Sequence, residues 1–278
     1  MATYTPMERA EAFLHAGELD DALEALNDQL ADQPGDQNAR RLRANVLLRM
    51  DDSMQWRASL DDFQALIAPT AEDVMHRHQL LTRLDEHEQA HAYLRDQVAA
   101  GGTGHDARIV DLLLESHYRR GEAYNAITLL FDQPKTWRWL RWNGDFHALK
   151  GDHRVALDYY CSALDSLEET TQDAPPSAQA FVANLRAQIL LRRADMYARV
   201  GLYAESAADY ADAETNVPGD AMIPFKRGMM LFLGSDIDGA VQVCAAALQS
   251  ARNDDERASL IAALKDDARY TALAASLG

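Results

Sequence analysis

A spacing of roughly thirty-four residues recurs along almost the whole chain and limits what it can fold into. Gly17, Asp51, Asp85, Gly121, Gly151, Gly201 and Ser235 stand in one column, separated by 34, 34, 36, 30, 50 and 34 residues. Five positions later stand Ala22, Trp56, Ala90, Ala126, Ala156, Ser206 and Ala240. Between these marks apolar residues recur at the helical period, as in Leu23, Leu26 and Leu30, and alternation at period two is confined to short runs. The pattern predicts helix–turn–helix units, each too small to bury its own apolar face and stable only when stacked.

Punctuation sets the boundaries. Thr5-Pro6 supplies a cap and a first-turn proline, Gly17 ends the first helix, and Asp20-Asp21 opens the second. The following pairs are expected at 38–50 and 54–67, 71–83 and 87–99, 106–119 and 123–132, and 136–149 and 153–168. The last two are expected at 177–199 and 203–216, and at 221–233 and 237–250. Residues 1–254 therefore read as seven repeats, with an insertion near 168–178 around Pro175-Pro176 and an elongated helix after it. Residues 255–278 read as one or two helices capping the end of the stack.

The columns resemble the tetratricopeptide repeat, whose pattern is W-x2-L-G-x2-Y followed by A-x3-F and a closing P. The fifth unit reads Leu140-x2-Asn143-Gly144-x2-His147, then Gly151, Ala156 and Tyr160. The seventh reads Pro224-x2-Arg227-Gly228-x2-Leu231, then Ala240-x3-Cys244. The sixth has Ala194-x2-Tyr197, Ser206-x3-Tyr210 and Pro218, and the first has Ala10-x2-Phe13, Ala22-x3-Leu26 and Pro34. The second unit departs most, with Trp56 where a small residue is expected. The resemblance implies an all-α, right-handed α-solenoid of antiparallel helix pairs, with first helices lining a concave face. It implies binding of peptides or protein segments there, and no enzymatic activity or cofactor.

A formal charge of -17 repels phosphate backbones and favours a basic peptide or protein as partner, not nucleic acid. The charge is carried by 30 Asp against 14 Glu and by 23 Arg against 4 Lys, a usage that fits a GC-rich bacterial genome. Cys161 and Cys244 sit in apolar helical runs and read as buried free thiols. The opening from Met1 to Arg9 lacks the basic and apolar regions of a signal peptide, and no window approaches the ~20 apolar residues of a membrane span, so a cytoplasmic location is expected.

Candidate groove residues lie three or four apart on first helices. Arg41 and Asn45 look like part of the clamp with which some family members hold a terminal carboxylate. His76 stands at a position that should supply an amide, and Arg108 is accompanied by Leu112 in place of a second base. Arg138 and Arg141 share a helix with Trp137, Trp139 and Trp142, and have Asp111, Glu115 or Asp145 as candidate partners. Phe225, Met229 and Phe232 form a stripe that the family register turns into the groove, unless the C-terminal tail folds over it. His87-Glu88-Gln89-Ala90-His91 matches H-E-x-x-H, which makes a metal-dependent hydrolase a remote alternative. Ala90 in that string is a packing position and no third-ligand extension follows it, so no metal site is assigned. A self-assembling structural subunit, joining copies through repeat ends, is the nearer alternative to a binding scaffold.

Overall fold

The residues at the head of each repeat turn the backbone left-handed. Gly17, Gly121, Gly151 and Gly201 have φ between 71° and 85°, and Asp85 and Ser235 adopt 61° and 73°. Such a residue ends one helix and reverses the chain, which glycine does without the Cβ penalty of other residues. Asp51 is the exception. The helix before it stops at Arg49, and the indole Nε1 of Trp56 donates to the Met50 carbonyl at 2.7 Å. The bulky residue at a small-residue position is accommodated by a reshaped turn.

The computed structural model describes residues 4–277, so Met1 to Thr3 of the signal-peptide reading and Gly278 of the expected cap lie outside the described residues. Among the described residues there are sixteen α-helices and no strand. The fold is all-α, built of antiparallel helix pairs. No described helix is long and apolar enough to cross a membrane. The chain divides into two units, up to Ser116 and from His117 onward.

The first unit contains α1 (Pro6–Ala16), α2 (Leu19–Asp32), α3 (Gln37–Arg49), α4 (Ser53–Gln64), α5 (Ala71–Arg83) and α6 (His87–Ala100). A 3-10 turn at Gly102–His105 then leads into α7 (Ala107–Arg120), inside which the division falls. Side-chain oxygens of Thr5, Asp36, Asp52 and Thr70 accept from the free amides at the starts of α1, α3, α4 and α5. The amide of Ala39 does most to hold the Asp36 carboxyl below the usual carboxylate range. Ala10, Ala25, Leu26 and Val46 form one core, and Leu60, Phe63, Leu80 and Leu81 form another.

The second unit continues with α8 (Ala123–Leu130), α9 (Trp137–Leu149), α10 (His153–Thr171), α11 (Gln179–Arg199), α12 (Tyr203–Asn216), α13 (Met222–Leu233), α14 (Ile237–Ser250), α15 (Asp254–Lys265) and α16 (Thr271–Leu277). The extra residues near the Pro-Pro pair lengthen helices on both sides of it. α10 has 19 residues and α11 has 21. α10 runs past Glu168 to Thr171, and the Thr170 and Thr171 hydroxyls donate to the Ser166 and Leu167 carbonyls of the preceding turn. Only a short link and a 3-10 turn at Pro176–Ala178 remain non-α-helical before α11.

The tail packs against α14 and shares a core with α13. This corrects the placement of the apolar stripe in the groove. Phe225 is 0% exposed and Met229 8%, in one cluster with Leu260, Leu264, Tyr270 and Leu273 of the tail. Phe232 is half-buried, its ring 6.3 Å from that of Tyr270. An open apolar stripe of this size would be costly in water, and the tail removes it.

Helix pairs close on small residues. A Cβ at Gly144 would come within 2.5 Å of the Tyr160 ring, and one at Gly228 would meet Cys244 Sγ. Burial pushes the Cys244 thiol up to about 12. The Tyr160 ring cannot swing away, because its hydroxyl donates to Asp145 at 2.7 Å in a buried setting.

Gly144→Ala is expected to lower the unfolding free energy by about 1–3 kcal/mol through overpacking. Ser235→Gly, which removes the left-handed penalty at an exposed turn, is expected to raise it by about 0.5–1 kcal/mol. Urea denaturation checks both, and a neutral Gly144→Ala would contradict the close approach. Iodoacetamide at pH 8 is expected to alkylate the half-buried Cys161 and leave Cys244 unlabelled in the native protein, as read by peptide mass spectrometry.

Candidate functional site

The positions of the sequence-selected residues separate those held by local partners from those facing open space. Arg41 on α3 donates from Nε to both oxygens of Asp73 at 3.0 and 3.1 Å, and from Nη2 to the Ala68 carbonyl. Asn45 is half-buried one turn further along α3. Arg108 folds back onto Asp106 at 2.9 and 3.0 Å, at the start of α7. His76 lies tilted against Phe63, its ring centre 5.7 Å away. Arg41 and Arg108 are thus spent on neighbouring carboxylates, and the structure does not gather these residues into a carboxylate clamp. Glu115 is exposed on α7.

The H-E-x-x-H string opens α6. His87 Nε2 lies 2.9 Å from Asp85, and its side chain is largely exposed. His91 is buried, with Nδ1 2.9 Å from the Ser116 hydroxyl. Glu88 is exposed. The two imidazoles are engaged by different partners in different surroundings.

On α9 the tryptophans divide. Trp139 and Trp142 are buried, and Trp142 stacks on Phe146 with ring centres 5.7 Å apart. Trp137 is half-buried. Arg138 lies 5.9 Å from both the Trp137 and Trp139 rings. Arg141 lies 4.1 Å over Trp142 and donates to Asp145 at 3.1 Å, one of the three acids the sequence offered it.

Asp145 leads to the groove that sequence reading missed. Two adjoining cavities of the second unit share Asp195 and Arg199. One runs between α9 and α11, lined by Tyr118, Asp145, Leu149, Arg192 and Met196. The other continues across α13 to the tail, lined by Tyr203, Lys226, Met230, Arg269 and Tyr270.

The floor of this groove repeats one device. A tyrosine on a second helix donates its hydroxyl to an aspartate fifteen residues earlier on the first helix: Tyr160 to Asp145 and Tyr210 to Asp195. Each aspartate then receives a cation from the next first helix. Arg192 reaches Asp145 at 2.9 Å, and Lys226 reaches Asp195 at 3.4 Å. Burial, and then the adjacent carboxylate, push both tyrosine hydroxyls far above their ordinary pKa, so they remain donors. At the tail, Arg269 is held by Asp267 at 2.6 Å, which lowers the Asp267 carboxyl and raises the guanidinium. The readable signal was the Asp-x14-Tyr spacing, whose acceptor sits one residue past the small residue of the repeat.

Residues 4–277 thus form paired helices closed on small residues and mostly reversed by left-handed turns, with Tyr160 and Tyr210 filling the gap in two of the pairs. The fold is that of a tetratricopeptide-repeat protein. Solved structures agree. A tetratricopeptide repeat protein from Parabacteroides merdae matches with TM-score 0.53 at 15% identity, over 92% of this chain and 95% of that one. The C-terminal part of a repeat-containing protein of this kind from Cytophaga hutchinsonii gives 0.58 at 12% identity, over 89% and 96%. Yeast Tom70 gives 0.54 at 15% identity, over 93% of this chain and 61% of its own. No protein-family model matches the chain, and no curated protein matches it by sequence. Identities this low establish the tetratricopeptide fold and nothing about the partner.

Tyr160→Phe leaves buried Asp145 with one donor fewer and is expected to cost about 1–3 kcal/mol of stability. It is also expected to loosen Arg192, so that Tyr160→Phe and Arg192→Met together cost less than the sum of the two alone. A double-mutant cycle by urea denaturation measures this coupling, and additive effects would break the proposed chain.

Proposed function

We propose that this chain is a non-catalytic protein-interaction scaffold whose second unit receives a peptide or protein segment in the groove along α9, α11 and α13. One observation carries the reading: Arg192, Arg199 and Lys226 line two adjoining cavities together with Tyr118, Tyr203 and Met230. Arginine and aromatic side chains are enriched where proteins recognise one another. The tetratricopeptide fold supports the reading by analogy of architecture. A cytoplasmic setting is part of the same proposal and rests on composition.

Self-association is a second reading, favoured by one feature. Tyr124 and Phe131 are 75% and 87% exposed, and their seven-residue spacing puts them on one side of the α8 segment. A mass that rises with concentration in light scattering, and falls to the monomer in Phe131→Ser, would establish it in place of a separate partner.

The scaffold reading is tested with an amine-reactive cross-linker on protein incubated with a lysate of the source organism. The chain has four lysines, of which Lys226 lines the groove. Cross-links to another protein are expected at Lys226 and are expected to disappear in Arg199→Glu/Met230→Glu. Cross-links confined to Lys135 or Lys265, or unchanged in the variant, would count against the groove.

A further inference from the structure

Charge in the second unit is partitioned by helix. The first helices α9, α11 and α13 carry eight Arg or Lys residues and two acids, Asp145 and Asp195. The second helices α10, α12 and α14 carry nine acids and one basic residue, Arg154. The net charge of -17 is an average over two surfaces of opposite sign.

Part of this partition serves packing. Arg193 is clamped by both oxygens of Asp209 at 2.7 and 2.8 Å, Arg227 reaches Glu214 at 3.2 Å, and Arg186 reaches Glu168 at 3.8 Å. These pairs join α11 to α12, α13 to α12 and α11 to α10. They account for the cations that face second helices and leave Arg192, Arg199 and Lys226 facing the groove, joined by Arg269 from the tail.

The groove's two acids are both engaged, Asp145 fully and Asp195 through one oxygen. Asp145 is buried and accepts from Tyr160, Arg141 and Arg192. Asp195 accepts from Tyr210 and Lys226. A basic segment would find Asp145 closed off and would meet only Asp195, 48% exposed, among the groove's acids. An acidic one meets cations with donors to spare, since Arg192 and Lys226 keep about two-fifths of their side-chain surface exposed (38% and 42%). Among the described residues no carboxylate pairs with Arg199, which is exposed at the junction of the two cavities. Guanidinium groups bind carboxylates through paired N–H donors, and such bonds are strong where water is partly excluded.

Resting on the groove reading above, we infer that the second unit recognises an acidic peptide segment through Arg192, Arg199 and Lys226, Arg269 being already held by Asp267. Arg192 and Arg199 lie seven residues apart on α11, about 10 Å along its axis. An extended chain covers that distance in about three residues. The fitting segment therefore carries side-chain carboxylates two or three residues apart, with apolar residues between them resting on Tyr203, Met230 and Leu233. The attraction is local to the groove, against the repulsion of the whole molecule, so it is sensitive to salt.

The test uses three labelled decapeptides that alternate Leu with Glu, Gln or Lys, titrated with the full chain by fluorescence anisotropy. The Glu peptide is expected to bind at least tenfold tighter than the Gln peptide in 50 mM salt and to weaken at 300 mM. Arg199→Glu/Lys226→Glu is expected to cost at least tenfold, with an unchanged far-ultraviolet dichroism spectrum. Arg199→Lys, which keeps the charge, is expected to retain most of the binding. If the Gln or Lys peptide binds equally or better and is displaced in Met230→Glu, the acidic preference is wrong and the groove reading stands. If none of the three binds, both fall. If the Glu peptide binds but ignores the charge reversal, the assignment of these cations is overturned.

Discussion

The closest approach in each helix pair is the constraint from which the rest of the second unit follows. Gly144 leaves space for the Tyr160 ring to lie against the α9 backbone, and that position carries the Tyr160 hydroxyl to Asp145. Asp145, fixed by a buried donor, holds Arg192 of the next first helix. A steric fact about one glycine thereby sets the position of a charged groove residue forty-eight positions later. The same sequence of events runs from Tyr210 through Asp195 to Lys226. Packing and surface electrostatics are linked because the residue that fills the gap between helices is amphipathic, apolar in its ring and polar at its tip.

Partition of charge between helix types resolves an apparent conflict. A chain at -17 looks like a receptor for basic partners. Yet the acids lie mainly on α10 and α12, while α11 has four arginines against one aspartate. Ion pairs between neighbouring helices consume one side of each distribution, as in Arg193 with Asp209, and leave the groove side cationic. Whole-chain charge describes solubility and long-range steering, whereas recognition responds to the field within a Debye length of about 8–10 Å.

Legibility in the sequence followed the range of the interaction. The turn positions were readable because the requirement is local: a left-handed residue recurs where Gly17, Gly121, Gly151 and Gly201 recur, and Asp85 and Ser235 occupy it in the same register. The small residues were readable because Ala22, Ala126, Ala156 and Ala240 are fully buried wherever two helices must close. The site was much less readable. Arg41 and Arg108 had the right type and spacing for a clamp, but Asp73 and Asp106 claim them. Phe225 and Met229 had the right register for an apolar groove, but tail residues beyond the repeats bury them. His87 and His91 satisfied a motif whose chemistry depends on surroundings that α6 does not supply. Arg199 and Lys226 carried no motif at all.

By itself, the sequence determined that this chain is helical, that its helices pair antiparallel at a fixed cadence, and which small residues and turns make that cadence possible. Those properties depend on neighbours within about one repeat, so a single stretch of text contains them. Tertiary structure alone decided which charged side chains are spent on one another and which remain available. Whether an arginine is an ion-pair partner or a recognition residue depends on the carboxylate brought beside it from another helix, and α9, α11 and α13 bring those groups together across separations of thirty to fifty residues.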